Sequence, residues 1–212
     1  MSEHYPFSNP PLPYAYDALE PYIDARTMML HHDRHLRAYT DNLNAALADQ
    51  PRLQTLTLEE LLAIYPALPE PLATQIRNNA GGVYNHRLFF NGLTPAANAV
   101  ENHSHPLYGA IGRTFGNTGD MLQSLGEAAM SVFGSGYAWL VLLPDGSLAI
   151  TTTANQDTPP LGQMLPLLNA DVWEHAYYLK HYNNRYAYLG DAMHVINWPE
   201  VEARYDAGMG LS

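Results

Sequence analysis

Asp171 and His175 stand four residues apart in DVWEHAYYLKH, a stretch otherwise rich in large apolar and aromatic side chains. An ionised carboxylate in such surroundings costs several kcal/mol unless a cation, a metal or hydrogen-bond donors stand beside it. Upstream, LHHDRHLRAY sets His31 and His35 four apart, on one face if the stretch is helical, with His32 pointing elsewhere. His86 lies in GGVYNHRLFF, where the apolar run that follows suggests core. Each residue has an ordinary reading as well. Paired histidines at helical spacing are often surface residues, a core histidine often bonds a backbone carbonyl, and Asp171 can cap the helix expected after it. Taken together, neutral imidazoles and one carboxylate suit a borderline first-row metal such as manganese, iron or zinc. Spacing alone does not bring the four groups to one point. His4, His103, His105, His181 and His194 sit in more polar contexts and read as surface.

The bulk composition narrows the chemistry. With 212 residues, 47% hydrophobic and 15% charged, the chain is long and apolar enough for one large domain or two small ones sharing an interface. A formal charge of -11, with nine Arg and one Lys spread thinly, argues against nucleic acid as a partner. The absence of cysteine removes disulfides, Cys-ligated zinc, iron–sulfur clusters and thiol nucleophiles. No apolar window is long enough to span a membrane, and MSEHYPFSNPPLPYAYDALEP lacks the basic start and apolar run of a signal peptide. A soluble protein of the cytoplasm is expected.

The elements that must position these residues fall into two halves. Residues 24–50 are Ala/Leu-rich and free of Gly and Pro, which predicts a long helix; 69–93 predicts a second, irregular near Gly81 and Gly82. A helical hairpin follows from the pair. The polar, breaker-rich stretch 94–106 marks a boundary, giving domains 1–94 and 95–212. Beyond it, two β-rich runs flank Asp145–Gly146, a strong hairpin signal. QMLPLLNADVW supplies a third strand, and EHAYYLKHYNNRY turns helical. The fold class is α+β: an N-terminal helical hairpin, then an α/β domain with a small three-stranded antiparallel sheet.

LPYAYDALEPYID, HHDRHLRAY, RNNAGGVYNHRLFF, FGSGYAWLV, TTTANQDTP and above all DVWEHAYYLKH resemble the iron/manganese superoxide dismutase family, nearly end to end. The resemblance implies one metal per subunit, held by His31, His86, Asp171 and His175, with a solvent molecule as fifth ligand. It puts Tyr39 and His35 at the mouth of the substrate channel. By the same resemblance Gln156 is expected to donate to the bound solvent and reach the tyrosine hydroxyl, and Trp173 to wall the pocket. It also implies a homodimer, or a tetramer, in which Glu174 bonds the ligand histidine across the interface and Tyr178 meets the opposite gateway histidine. The implied reaction converts superoxide to dioxygen and hydrogen peroxide by ping-pong redox cycling. Glycine at 82 with glutamine at 156 is the manganese arrangement of the family; iron, or either metal, is the alternative.

The departures from the family pattern are Leu36, Phe90, Tyr137 and the pair Asn169–Ala170. Arg34 or Arg185 could offset the negative charge for an anionic substrate. A metallohydrolase or a non-redox metal-binding protein is the rival reading. The first lacks an HExxH-type helix, and the second has no use for Tyr39, His35 and Gln156.

Overall fold

A leucine stripe shared by three helices organises the first half. The computed structural model describes residues 3–211. Ala25–Leu30 (α1), a π-helical segment His31–Leu36 and Arg37–Leu47 (α2) follow one another without a break. The helix expected over 24–50 is therefore present, but it contains a wide turn, a feature often found at functional sites. Asp24 caps it, accepting from the Thr27 backbone N–H at 2.8 Å. Leu58–Ile64 (α3) opens on a capping box between Thr57 and Glu60. Leu72–Asn91 (α4) runs unbroken through Gly81 and Gly82, contrary to the irregularity expected there. Leu43, Leu47, Leu61, Ile76 and Val83 join in the core of this half.

The second half adds Pro106–Phe115 (α5) and Thr118–Ser131 (α6) before a three-stranded sheet. Its strands are Gly136–Leu142 (β1), Leu148–Ala154 (β2) and Leu165–Asp171 (β3), antiparallel in the order β2-β1-β3. The turn at Pro144–Gly146 closes with Leu143 N–H donating to Ser147 O at 2.9 Å. Gly146 takes φ 80°, a conformation most side chains resist. The central strand is buried on both faces. Tyr137, Trp139 and Val141 pack with Leu88 of α4, while Ala138, Leu140 and Leu142 join the core made with α5 and α6. This packing brings α4 against β3, and so His86 towards Asp171.

The helix expected from Glu174 onward is broken instead. A 3₁₀ turn at Glu174–Ala176, Tyr178–His181 (α7), Arg185–Ala192 (α8) and Trp198–Met209 (α9) follow β3. Tyr182, at φ 52°, ends α7 and redirects the chain. Lys180 then ties the halves together. Its ammonium donates to the carbonyls of Pro21 and Tyr22 and to Asp191. No helix among the described residues is long and apolar enough to cross a membrane.

Candidate metal centre

His31 and His86 leave two packed helices, Asp171 closes β3, and His175 follows in the 3₁₀ turn. One ligand atom from each lies within 4.8 Å of all the others. His31 Nε2 is 3.1 Å from His175 Nε2 and 3.3 Å from Asp171 Oδ2, which His175 Nε2 approaches to 3.5 Å. His86 Nε2 and Asp171 Oδ2 are buried with no hydrogen-bond partner. Orphaned acceptors of this kind are expensive, and lone pairs crowded together repel. A cation between them removes both costs, so the donor set fits a first-row metal ion.

The outer atoms of these residues are fixed. His86 Nδ1 sits 2.7 Å from the Gly82 carbonyl. With the proton on Nδ1 donating there, the Nε2 lone pair faces the cluster. Asp171 Oδ1 accepts from the Trp173 backbone N–H at 2.8 Å, leaving Oδ2 for the cluster. One Asp171 oxygen thus holds the turn into Trp173, and the other faces the histidines.

Electrostatics agree with the geometry. Burial pushes the His31 imidazole down to about 4 and the His86 imidazole well below its usual range, despite the nearby Asp171 carboxylate. Burial by itself would raise Asp171, but His175 and His31 overcome it and hold the carboxyl well below the ordinary range. At neutral pH the cluster offers neutral imidazoles at 31 and 86 and a charged carboxylate at 171.

Comparison with known proteins bears on the same residues. Residues 6–94 match the family described as iron/manganese superoxide dismutases, alpha-hairpin domain, and residues 103–204 match its C-terminal domain. A "Superoxide dismutase [Mn]" of Thermus aquaticus is 48% identical over 201 residues, covering 95% of this chain and 98% of the relative. One from Escherichia coli O157:H7 is 45% identical over 207 residues, covering 95% and 98%. A "Superoxide dismutase [Mn] 3" of Leptolyngbya boryana is 45% identical over 202 residues, covering 95% and 84%. The chain belongs to the iron/manganese superoxide dismutase family.

In this dismutase fold the residues around the cluster come from four directions. Gly81 and Gly82 permit the contact of α4 with two of them. A β-carbon on Gly81 would lie 2.1 Å from the Gln156 carbonyl oxygen, and one on Gly82 2.4 Å from Tyr39 Cγ. The glycines that looked like a helix flaw are thus a close-approach surface. Gln156 is buried. Its Oε1 accepts from the Tyr137 hydroxyl at 3.1 Å and from Asn85 Nδ2 at 3.2 Å, while its Nε2 has no partner. Tyr39, half-buried, lies with its ring 5.3 Å from that of His86. The His35 ring stacks on His175 at 4.1 Å, and the Trp173 ring on the same histidine at 5.5 Å. Phe90 meets His31 at 4.9 Å, and Leu36 is buried.

Glu174 and Tyr178 are exposed on the single chain. Arg34 is exposed too, whereas Arg185 is occupied, donating to the carbonyls of Val132 and Gly134 at 2.7 Å. His105 and His181, read as surface, are half-buried. Partners explain this: His105 Nε2 is 3.1 Å from Asp206, and His181 packs against Tyr188.

Two amides complete the surroundings. Asn85 reaches the backbone and side chain of Gln156, and the buried Asn169 donates to the Asn85 carbonyl at 3.1 Å. Asn85 was missed in the sequence. A lone amide just before a candidate ligand, inside an apolar run, was the signal.

Proposed function

We propose that this chain is a superoxide dismutase whose single metal ion is held by His31, His86, Asp171 and His175. The observation that carries the reading is the buried four-donor cluster with its unpartnered Nε2 and Oδ2. When bound, the ion supplies one-electron chemistry, through which one superoxide is oxidised to dioxygen and a second, with two protons, becomes hydrogen peroxide.

The chain's own residues do the rest. Gln156, fixed through Oε1 by Tyr137 and Asn85, keeps its Nε2 protons free for an oxygen acceptor beside the cluster. Burial raises the Tyr39 hydroxyl above its ordinary range, so Oη holds its proton at neutral pH and can pass it to a substrate oxygen. His35 and Tyr39 line the approach, and Trp173, its indole N–H bonded to the Asn155 carbonyl at 2.9 Å, keeps bulk water off His175.

Manganese is the metal of this proposal, supported by relatives named for it and by the free amide that Gln156, packed on Gly81, offers beside the cluster. The active unit is a homodimer in which Glu174 bonds the partner's His175 and Tyr178 the partner's His35; the exposure of Glu174 and Tyr178 supports it. A cytoplasmic location belongs to the same proposal and is compatible with a cysteine-free chain. The test is to load the protein separately with manganese and with iron, then measure superoxide consumption and bound metal. Absence of activity with both removes the dismutase reading. Higher specific activity with iron overturns the choice of metal, and comparable activities mark an enzyme that uses either.

A further inference from the structure

Behind the cluster, between α6, α8 and β3, lies a chamber of about 30 Å³. Its walls are chiefly Phe89, Leu125, Leu168, Leu189 and Ile196. Two polar residues, Asn169 and Tyr188, reach its edge. The atoms they leave unpartnered, Asn169 Oδ1 and the Tyr188 hydroxyl, are buried. A water molecule needs about 10–15 Å³ and two or more polar partners to stay, and apolar cavities without such partners remain dry and take apolar guests. The volume here is sufficient for a small guest, and apart from those two residues the lining is apolar. The chamber therefore favours a small apolar molecule over water.

Its position gives that molecule an identity. Phe89 forms one wall, and its ring is 5.3 Å from the ring of His31. Ala170, next to Asp171 in the chain, forms another part. One side chain therefore separates the chamber from the cluster. On its far side the chamber shares Gly126, Leu189 and Met193 with an open groove of about 820 Å³ between α6 and α8. The Met193 methyl lies 3.2 Å from where a β-carbon on Gly126 would stand. An unbranched thioether lying over a glycine is a wall that a small molecule can displace.

We propose that this chamber is a binding site for dioxygen, the apolar product of the reaction above, with the α6/α8 groove as its outlet. The identity of the gas rests on the dismutase reading; the chamber's preference for small apolar molecules does not.

The experiment is to pressurise crystals of the metal-loaded protein with xenon and, separately, with dioxygen. A xenon peak among Phe89, Leu168 and Ile196 is expected, with dioxygen density at the same place. Ala192→Leu, which projects into the chamber from the end of α8, should lose both peaks while keeping the melting temperature within a few degrees. Leu189→Phe serves the same purpose should Ala192→Leu not fold. Ordered water in the chamber, or gas peaks only elsewhere, overturns the proposal. Xenon in the chamber of a protein inactive towards superoxide would leave a gas site and remove its assignment to dioxygen.

Discussion

Between pH 7 and pH 5 the metal-free protein should lose about 2 kcal/mol of stability through His31 alone. The imidazole of an unfolded chain titrates near 6.5, whereas burial holds His31 at about 4. In that window the unfolded chain takes up a proton that the folded chain refuses, so stability falls as the pH falls. Integrated over the window the difference is about 2 kcal/mol, rising to about 3 kcal/mol once the pH is below 4. His86, buried completely and pushed by that burial well below its ordinary range, acts in the same direction. A loss of about 2 kcal/mol is already a large share of the 5–15 kcal/mol that domains usually have. Asp171 works in the same sense but at lower pH: its depressed carboxyl stabilises the fold above the ordinary carboxylate range, and that stability is lost only in stronger acid. Urea midpoints at pH 7, 6 and 5, at fixed ionic strength and with a constant m-value, measure the effect. A midpoint that does not move across this window would refute the neutral, buried state of the two imidazoles. With metal bound, the same protons compete with the ion, so acid should release metal over the same range.

Gly82→Ala should destabilise the protein by about 1–3 kcal/mol and lower activity, because its β-carbon would meet three ring atoms of Tyr39 at 2.4–2.8 Å; thermal melts and a superoxide assay read both. Asp171→Ala should lose metal and activity together, and a folded variant that kept both would remove Asp171 from the ligand set. Tyr39→Phe, in contrast, should keep stoichiometric metal while changing turnover; metal analysis showing loss would move Tyr39 among the ligands. Glu174→Ala should weaken self-association by a few kcal/mol in sedimentation and disturb the metal site in the same sample, an outcome that a fully active monomer would contradict.

The parts of the fold legible in the sequence are those whose cause is local. Asp145–Gly146 announces its hairpin because few sequences tolerate a positive φ there. Gly81 and Gly82 were misread because their reasons lie far off in the chain, in Gln156 for the first and Tyr39 for the second. The π segment at His31–Leu36 carries no local signal, and the break at Tyr182 rests on a positive φ that a tyrosine does not announce. For the candidate site, residue types and contexts singled out His31, His86, Asp171 and His175. Their convergence depends on α4 packing against the sheet, which no spacing reveals. Asn85 and Asn169 show the same limit, since their meaning lies in the hydrogen bonds between α4, β3 and Gln156.

Lys180 is the chain's only lysine, and its ammonium is already held by two backbone carbonyls and Asp191. An acylating or cross-linking reagent directed at amines thus finds no freely available side-chain amine on this chain. Reaction there competes with the strap between the segment before α1 and the end of α8. Labelling at Lys180 would therefore report opening of that strap, and the rate at which an amine reagent reaches it would serve as a clock for local unfolding between the two halves.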